Sequence, residues 1–251
     1  MKKTIFIIIA LLAANLTFSQ SETDYIEKIL KKLNEIKTAE YYTQITMSDV
    51  RDAVPVRTID RYVKMYTNPA DSLFGAGFMH SYNKDFTRYD MCYDGKYIVN
   101  FEWKDKIVQI DTLTNISSPG LIAPFLIRVR ALLDYAMDHK NNVEISLKDL
   151  KDSVRIEFYF PEKAAYFTKV TPLIHPSPNK FSRYVLWVNK ADNIPYKLIR
   201  SMPTQKFRET CSELKINKET SRQFDATKKI PDDFSILSEE EMPKKGIIFL
   251  N

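Results

Sequence analysis

Hydrophobic positions along this chain change period several times, and each change marks an element. Over Ser21–Lys37, Ile26, Ile29, Leu30, Leu33 and Ile36 recur at helical spacing, with Lys28, Lys31, Lys32 and Glu35 opposite. Ser21, three residues before Asp24, supplies a capping start. This helix is expected to lay its apolar stripe on a sheet. From Tyr41 the period becomes two: Tyr41, Thr43, Ile45 and Met47 alternate with Tyr42, Gln44, Thr46 and Ser48. A second strand is predicted over Val56–Tyr66 and closes at Asn68-Pro69-Ala70-Asp71. Gly75-Ala76-Gly77 reads as a flexible loop before a short strand, Phe78–Tyr82. Strands over Phe86–Tyr93 and Lys96–Trp103 flank Asp94-Gly95, a pair suited to a hairpin because both residues accept positive φ. Ile107–Asp111 extends the meander.

The period then returns to 3.6. Ser118 and Pro119 suit a helix start, and Leu121, Ile122, Phe125, Val129, Leu132, Leu133, Ala136 and Met137 continue the helix to His139, divided by Pro124. A helix this apolar inside a β meander has to cover an apolar surface. Strands resume at Val143–Leu150 and Ser153–Phe160, followed by a short one at Ala165–Val170. Leu173–Asn179 carries two prolines and reads as a loop. Val185–Arg200 is a late hairpin turned by Asn189, Asp192 and Asn193, with Pro195 entering its second strand. Lys206–Asn217 is the last long strand, and Pro231–Phe234 a final turn or short strand. The pattern predicts a mainly β (α+β) domain with about ten antiparallel strands and two or three helices, spanning 20–236.

Composition supports one large domain. Hydrophobic residues make up 44% and charged residues 27% of 251, enough for a sizeable core and unlike a disordered chain. Residues 1–19 read as a signal peptide, with Lys2 and Lys3 before the apolar run Ile5–Ala14 and cleavage placed before Gln20. No cysteine follows that run, so lipidation there is not expected. The expected mature product is soluble and periplasmic or secreted, with 237–251 as a tail. Removing Lys2 and Lys3 lowers the net charge from +5 to +3. Acidic and basic residues are interspersed, which excludes a nucleic-acid footprint. Cys92 and Cys211 either pair or stay as buried thiols, and no Cys-x-x-Cys is present.

The chemistry of the chain points away from catalysis. There is no Gly-x-Ser-x-Gly elbow and no metal-ligand spacing, and His80, His139 and His175 are dispersed. No cofactor is expected. The aromatic and aliphatic residues Phe101, Trp103, Phe125, Leu133, Phe158, Phe160 and Trp187 either fill a core or line a cavity under a curved sheet.

Several motifs together resemble a known family. They are Phe86-x-x-Tyr89-Asp90-x-x-Tyr93-Asp94-Gly95-Lys96, the Pro124-Phe125 helix start, Trp187-Val188-Asn189-Lys190 with Ile194-Pro195-Tyr196-Lys197, and Ile230-Pro231-Asp232-Asp233-Phe234. In this order, over roughly 21–236, they resemble the periplasmic outer-membrane lipoprotein carriers of LolA/LolB-like fold. The resemblance implies a single curved antiparallel sheet forming an incomplete barrel, with helices as lid over an apolar cavity. It implies a non-catalytic binder of a lipid or lipoprotein acyl chain, lined by some of the seven apolar residues. The carriers' cavity-mouth arginine has two candidate counterparts here, Arg57 and Arg61, and the sequence does not choose between them. Similar domains also precede thioredoxin-like domains, so an accessory module with an envelope-protein partner and no lipid is the alternative.

Overall fold

The computed structural model describes residues 22–49, 57–112, 122–218 and 223–237. The expected signal peptide, the Ser21 cap, Val56, the Ser118-Pro119 helix start and the tail from 238 onward lie outside those residues.

Among the described residues, twelve strands form one sheet. A first meander comprises β1 (Thr38–Asp49), β2 (Arg57–Thr67), β3 (Ala76–Ser81), β4 (Tyr89–Tyr93), β5 (Tyr97–Glu102) and β6 (Ile107–Thr112). A second comprises β7 (Glu144–Asp149), β8 (Ser153–Tyr166), β9 (Leu173–Asn189), β10 (Pro195–Ser201) and β11 (Gln205–Ile216). The meanders join side by side where β1 pairs with β11, Thr43 opposite Cys211 and Ile45 opposite Glu209. The short β12 (Ser235–Leu237) lies parallel on β6, while the other pairings are antiparallel. β12 and β7 form the two edges, and the sheet does not close into a barrel.

Two α-helices cover one face: α1 over 22–34 and α2 over Phe125–Asp138. Ile26, Ile29 and Leu33 of α1 join Phe125, Val129, Leu132, Leu133 and Ala136 of α2 in the main core. Val63, Phe78, Tyr93, Ile98, Ile156, Phe158, Tyr184 and Leu186 meet them from the sheet. Neighbouring residues in a strand point to opposite faces. Met79, Cys92, Val99, Phe101 and Val108 therefore form a second, smaller core on the reverse face. The segment 223–234 covers it with Phe224, Ala226, Ile230 and Phe234.

Several elements differ from the sequence expectation. The Gly75–Gly77 loop is already strand from Ala76, because Gly77 pairs with Tyr66 and has no Cβ to collide with the Tyr66 ring. Phe86 adopts φ 57° in a turn, so β4 begins only at Tyr89. In the Asp94-Gly95 turn, positive φ falls on Gly95 alone, at 99°. The separate strand expected at Ala165–Val170 is partly the end of β8, bent by a bulge between Pro161 and Lys163. The proline-rich stretch Leu173–Asn179 is strand, not loop: Leu173–Pro176 pair with β8 on one side only, since β9–β10 pairing spans Arg183–Val188, and 177–180 fall in a register shift. A one-sided edge tolerates Pro176 and Pro178.

Candidate functional site

The helix-covered face is mainly apolar and carries a buried polar band. Arg128, in the first turns of α2, forms an ion pair with Glu209 of β11, and the two residues are 5% and 1% exposed. The hydroxyl of Thr43 on β1 donates to the other Glu209 carboxylate oxygen at 2.9 Å. Further along, Arg61 of β2 pairs with Asp90 at 2.8 Å and donates from Nη1 to His80 Nδ1 at 3.2 Å. Arginine has only donors, so His80 Nδ1 accepts and its proton sits on Nε2. Burial, and then the Arg61 and Arg128 charges, hold the His80 pKa well below the usual histidine range. Asn100 of β5 and Gln109 of β6 continue the band, on positions alternating with the reverse-face residues Val99, Phe101 and Val108.

This band is under-satisfied. His80 Nε2, Asn100 Nδ2, Gln109 Oε1, Thr168 Oγ1, and Arg128 Nε and Nη1 are buried without a hydrogen-bond partner. A buried polar atom left dry costs about 1–3 kcal/mol. Water or a ligand's polar group is the usual remedy.

The seven apolar residues singled out from sequence do not converge. Phe125, Leu133, Phe158 and Phe160 come together in the main core, each fully buried. Phe101 and Trp103 belong to the reverse-face core, where Trp103 meets Phe234 edge-on and donates from its indole to the Tyr89 carbonyl. Trp187 alternates with the core residues Leu186 and Val188, so its ring faces away from them, with Lys197 Nζ 4.4 Å from the ring centroid. Of the two arginines, Arg57 is exposed at the start of β2 and Arg61 lies in the polar band. Cys92 lies in the reverse-face core and Cys211 in the main core, and both are free thiols whose pKa burial raises.

A cleft of about 570 Å³ opens between the end of α1 (Asn34), α2 (Ile127, Arg130, Asp134) and the loop at Pro69–Gly75, with the exposed Val170 on its rim. A smaller recess of about 10 Å³ shares Thr67, Ile127 and Arg130 with it and reaches the core residues Leu33, Ile36, Met65 and Leu126. A second cleft, about 440 Å³, lies beside the late hairpin and is lined by Ile194, Pro195, Tyr196 and Leu214 with Asp152, Asp192 and Glu213. Apart from Arg61, sequence reasoning passed over the polar band. Its signal was present: Glu209 interrupts the inward row Phe207–Cys211, and Arg128 interrupts the apolar run of α2.

No protein-family model matches the chain, and no curated protein does either. Solved structures are similar at low identity. Lipoprotein LppX of Mycobacterium tuberculosis is 12% identical with a TM-score of 0.44, covering 81% of this chain and 99% of its own. LprF of Mycobacterium bovis is 11% identical with a TM-score of 0.44, covering 81% of this chain and 96% of its own. A LolA superfamily protein from Nitrosomonas europaea is 12% identical with a TM-score of 0.29, covering 82% of this chain and 97% of its own.

Proposed function

We propose that this protein is an exported, non-catalytic carrier or sensor of an apolar ligand, a lipid or lipoprotein acyl chain, held between the two helices and the covered face of the sheet. The observation that carries this reading is the cleft between α1 and α2, which continues through Thr67, Ile127 and Arg130 toward the apolar side chains beneath the helices. An acyl chain entering there displaces helix–sheet contacts and gains roughly 0.8 kcal/mol per buried methylene. Phe125, Leu133, Phe158 and Phe160 are the lining it meets once the helices move; Arg130 and Asp134 stand at the entrance. Binding and release are then a movement of the helices over a fixed sheet.

Native mass spectrometry of the protein isolated from cells, seeking a co-purifying lipid, tests the reading directly. Val170→Asp tests the route. The residue is exposed, so melting temperature is expected to stay within about 2 °C. Affinity for a fluorescent fatty acid is expected to fall about tenfold, since a charge at the entrance opposes passage of an apolar chain. Unchanged affinity would reject this entrance.

A second reading has its own observation. Phe160, Phe167 and Tyr184 pack ring against ring at 5.1–6.0 Å, with Tyr135 of α2 beside them, as in a core with no ligand. An accessory module that docks an envelope protein is compatible with such a filled interior. Absence of lipid binding together with a stable partner complex would favour it.

A further inference from the structure

One part of the polar band has features that a merely structural ion pair does not need. A recess of about 20 Å³ lies under α2, walled by Phe167, Tyr184 and Phe207 and edged by Arg128, Thr168 and Arg200. Both guanidinium carbons sit over the single ring of Phe207, Arg128 at 5.5 Å and Arg200 at 5.4 Å from its centroid. Glu209 is the carboxylate bonded here, and it engages Arg128 through Nη2 only. Arg128 Nη1 and Nε and the Thr168 hydroxyl remain buried and unpartnered. Two cations against one anion, with three unused donors in a recess that is otherwise aromatic, leave a deficit of negative charge. The space suits one oxygen-sized group. Arg200 is half-buried, its guanidinium over the Tyr166 and Phe207 rings, so a larger anion enters from the solvent side of that guanidinium.

We infer that this recess is an anion site that takes a carboxylate or phosphate oxygen between Arg128, Arg200 and Thr168, and that it selects amphiphiles bearing such a head group. Arg128 supplies the fixed donors, anchored by Glu209. Arg200 supplies the half-buried one at the edge. The head group enters under α2 with its tail along the apolar core. The selective part of this inference rests on the ligand reading above. The anion site itself does not.

The experiment compares cis-parinaric acid with its methyl ester, which share the acyl chain and differ in the charge of the head group and one added methyl. Wild-type protein is expected to bind the acid about tenfold more tightly, the scale of one charge-assisted hydrogen bond in a buried setting. Arg200→Met is expected to bring that ratio close to one while leaving ester affinity unchanged. Arg200 forms no ion pair among the described residues, so this variant spares the buried pair. Thr168→Val is expected to lower the ratio in the same direction. Equal binding of acid and ester by wild type, or a ratio that survives Arg200→Met, overturns the inference. If neither probe binds, the acyl-ligand reading fails, and inorganic phosphate and acetate decide the site alone. Thermal protection of wild type by either anion, lost in Arg200→Met, upholds a small-anion site, and no protection refutes it. Competition of millimolar acetate with cis-parinaric acid would distinguish a free small anion from a lipid head group as the preferred occupant.

Discussion

At the scale of single residues, His80 shows what the polar band implies. Its ring is buried, stacked on Phe78 and tied through Nδ1 to Arg61, so protonation would place a cation beside cations. The folded pKa lies below the unfolded value, so the neutral ring stabilises the fold fully above the ordinary histidine range, near 6.5. That stability is lost as pH falls below it, at up to about 1.4 kcal/mol per pH unit for one proton. Urea denaturation from pH 7.5 to 5 is expected to show this slope in wild type and a flatter one in His80→Gln. Equal slopes would mean that the ring gains its proton without strain. The alternation that places His80 inward was legible in the sequence, but its depth was not. The sequence window around it, Phe78–Tyr82, looked like a peripheral strand after a flexible loop. Burial came from β2 and β4 on either side, a long-range property that a local window does not contain.

At the scale of elements, α2 and β11 are coupled by the Arg128–Glu209 pair, with Thr43 holding the carboxylate from β1. Glu209→Gln leaves the Arg128 charge deep in the interior. It is expected to destabilise the fold by about 3–5 kcal/mol. The double change Arg128→Met with Glu209→Leu removes both charges and is expected to recover much of that loss. A thermodynamic cycle from chemical denaturation measures the difference, and additive losses would show that the pair does not couple the two elements. Most elements were legible from period alone: the first helix, expected over Ser21–Lys37 and observed over 22–34, the late hairpin and the strict alternation of Val154, Ile156, Phe158 and Phe160. The elements that escaped were those in which neighbours overrule composition. Pro176 and Pro178 speak for a loop, yet β8 pairs with Leu173–Pro176, and Pro178 stays in the strand at a register shift just beyond. The candidate site was half legible for a related reason. Phe125, Leu133, Phe158 and Phe160 share a face, whereas Phe101 and Trp103 belong to the reverse of the sheet. Separating them required knowing that 223–234 folds back over that reverse side. Its phenylalanines, in a stretch rich in polar residues, gave little notice of it.

At the scale of the whole molecule, the sheet is two local meanders held together along one line, β1 against β11. Pairs within each meander are mostly close in sequence, whereas Thr43 and Cys211 face each other from opposite ends of the chain. A line of this kind has a kinetic meaning. Closing a long loop is entropically unfavourable until the contacts it brings are made, so each meander is expected to form before the two unite. Conservative truncations along the line, such as Ile45→Val on β1, are then expected to speed unfolding and leave the refolding rate nearly unchanged, with φ-values close to zero. Stopped-flow chevrons measure both limbs, and φ-values near one would place the union first. If the union is late, the native lifetime is set largely where Glu209 and Thr43 meet. The buried contact that anchors α2 to the sheet would then also be the clock of the folded state.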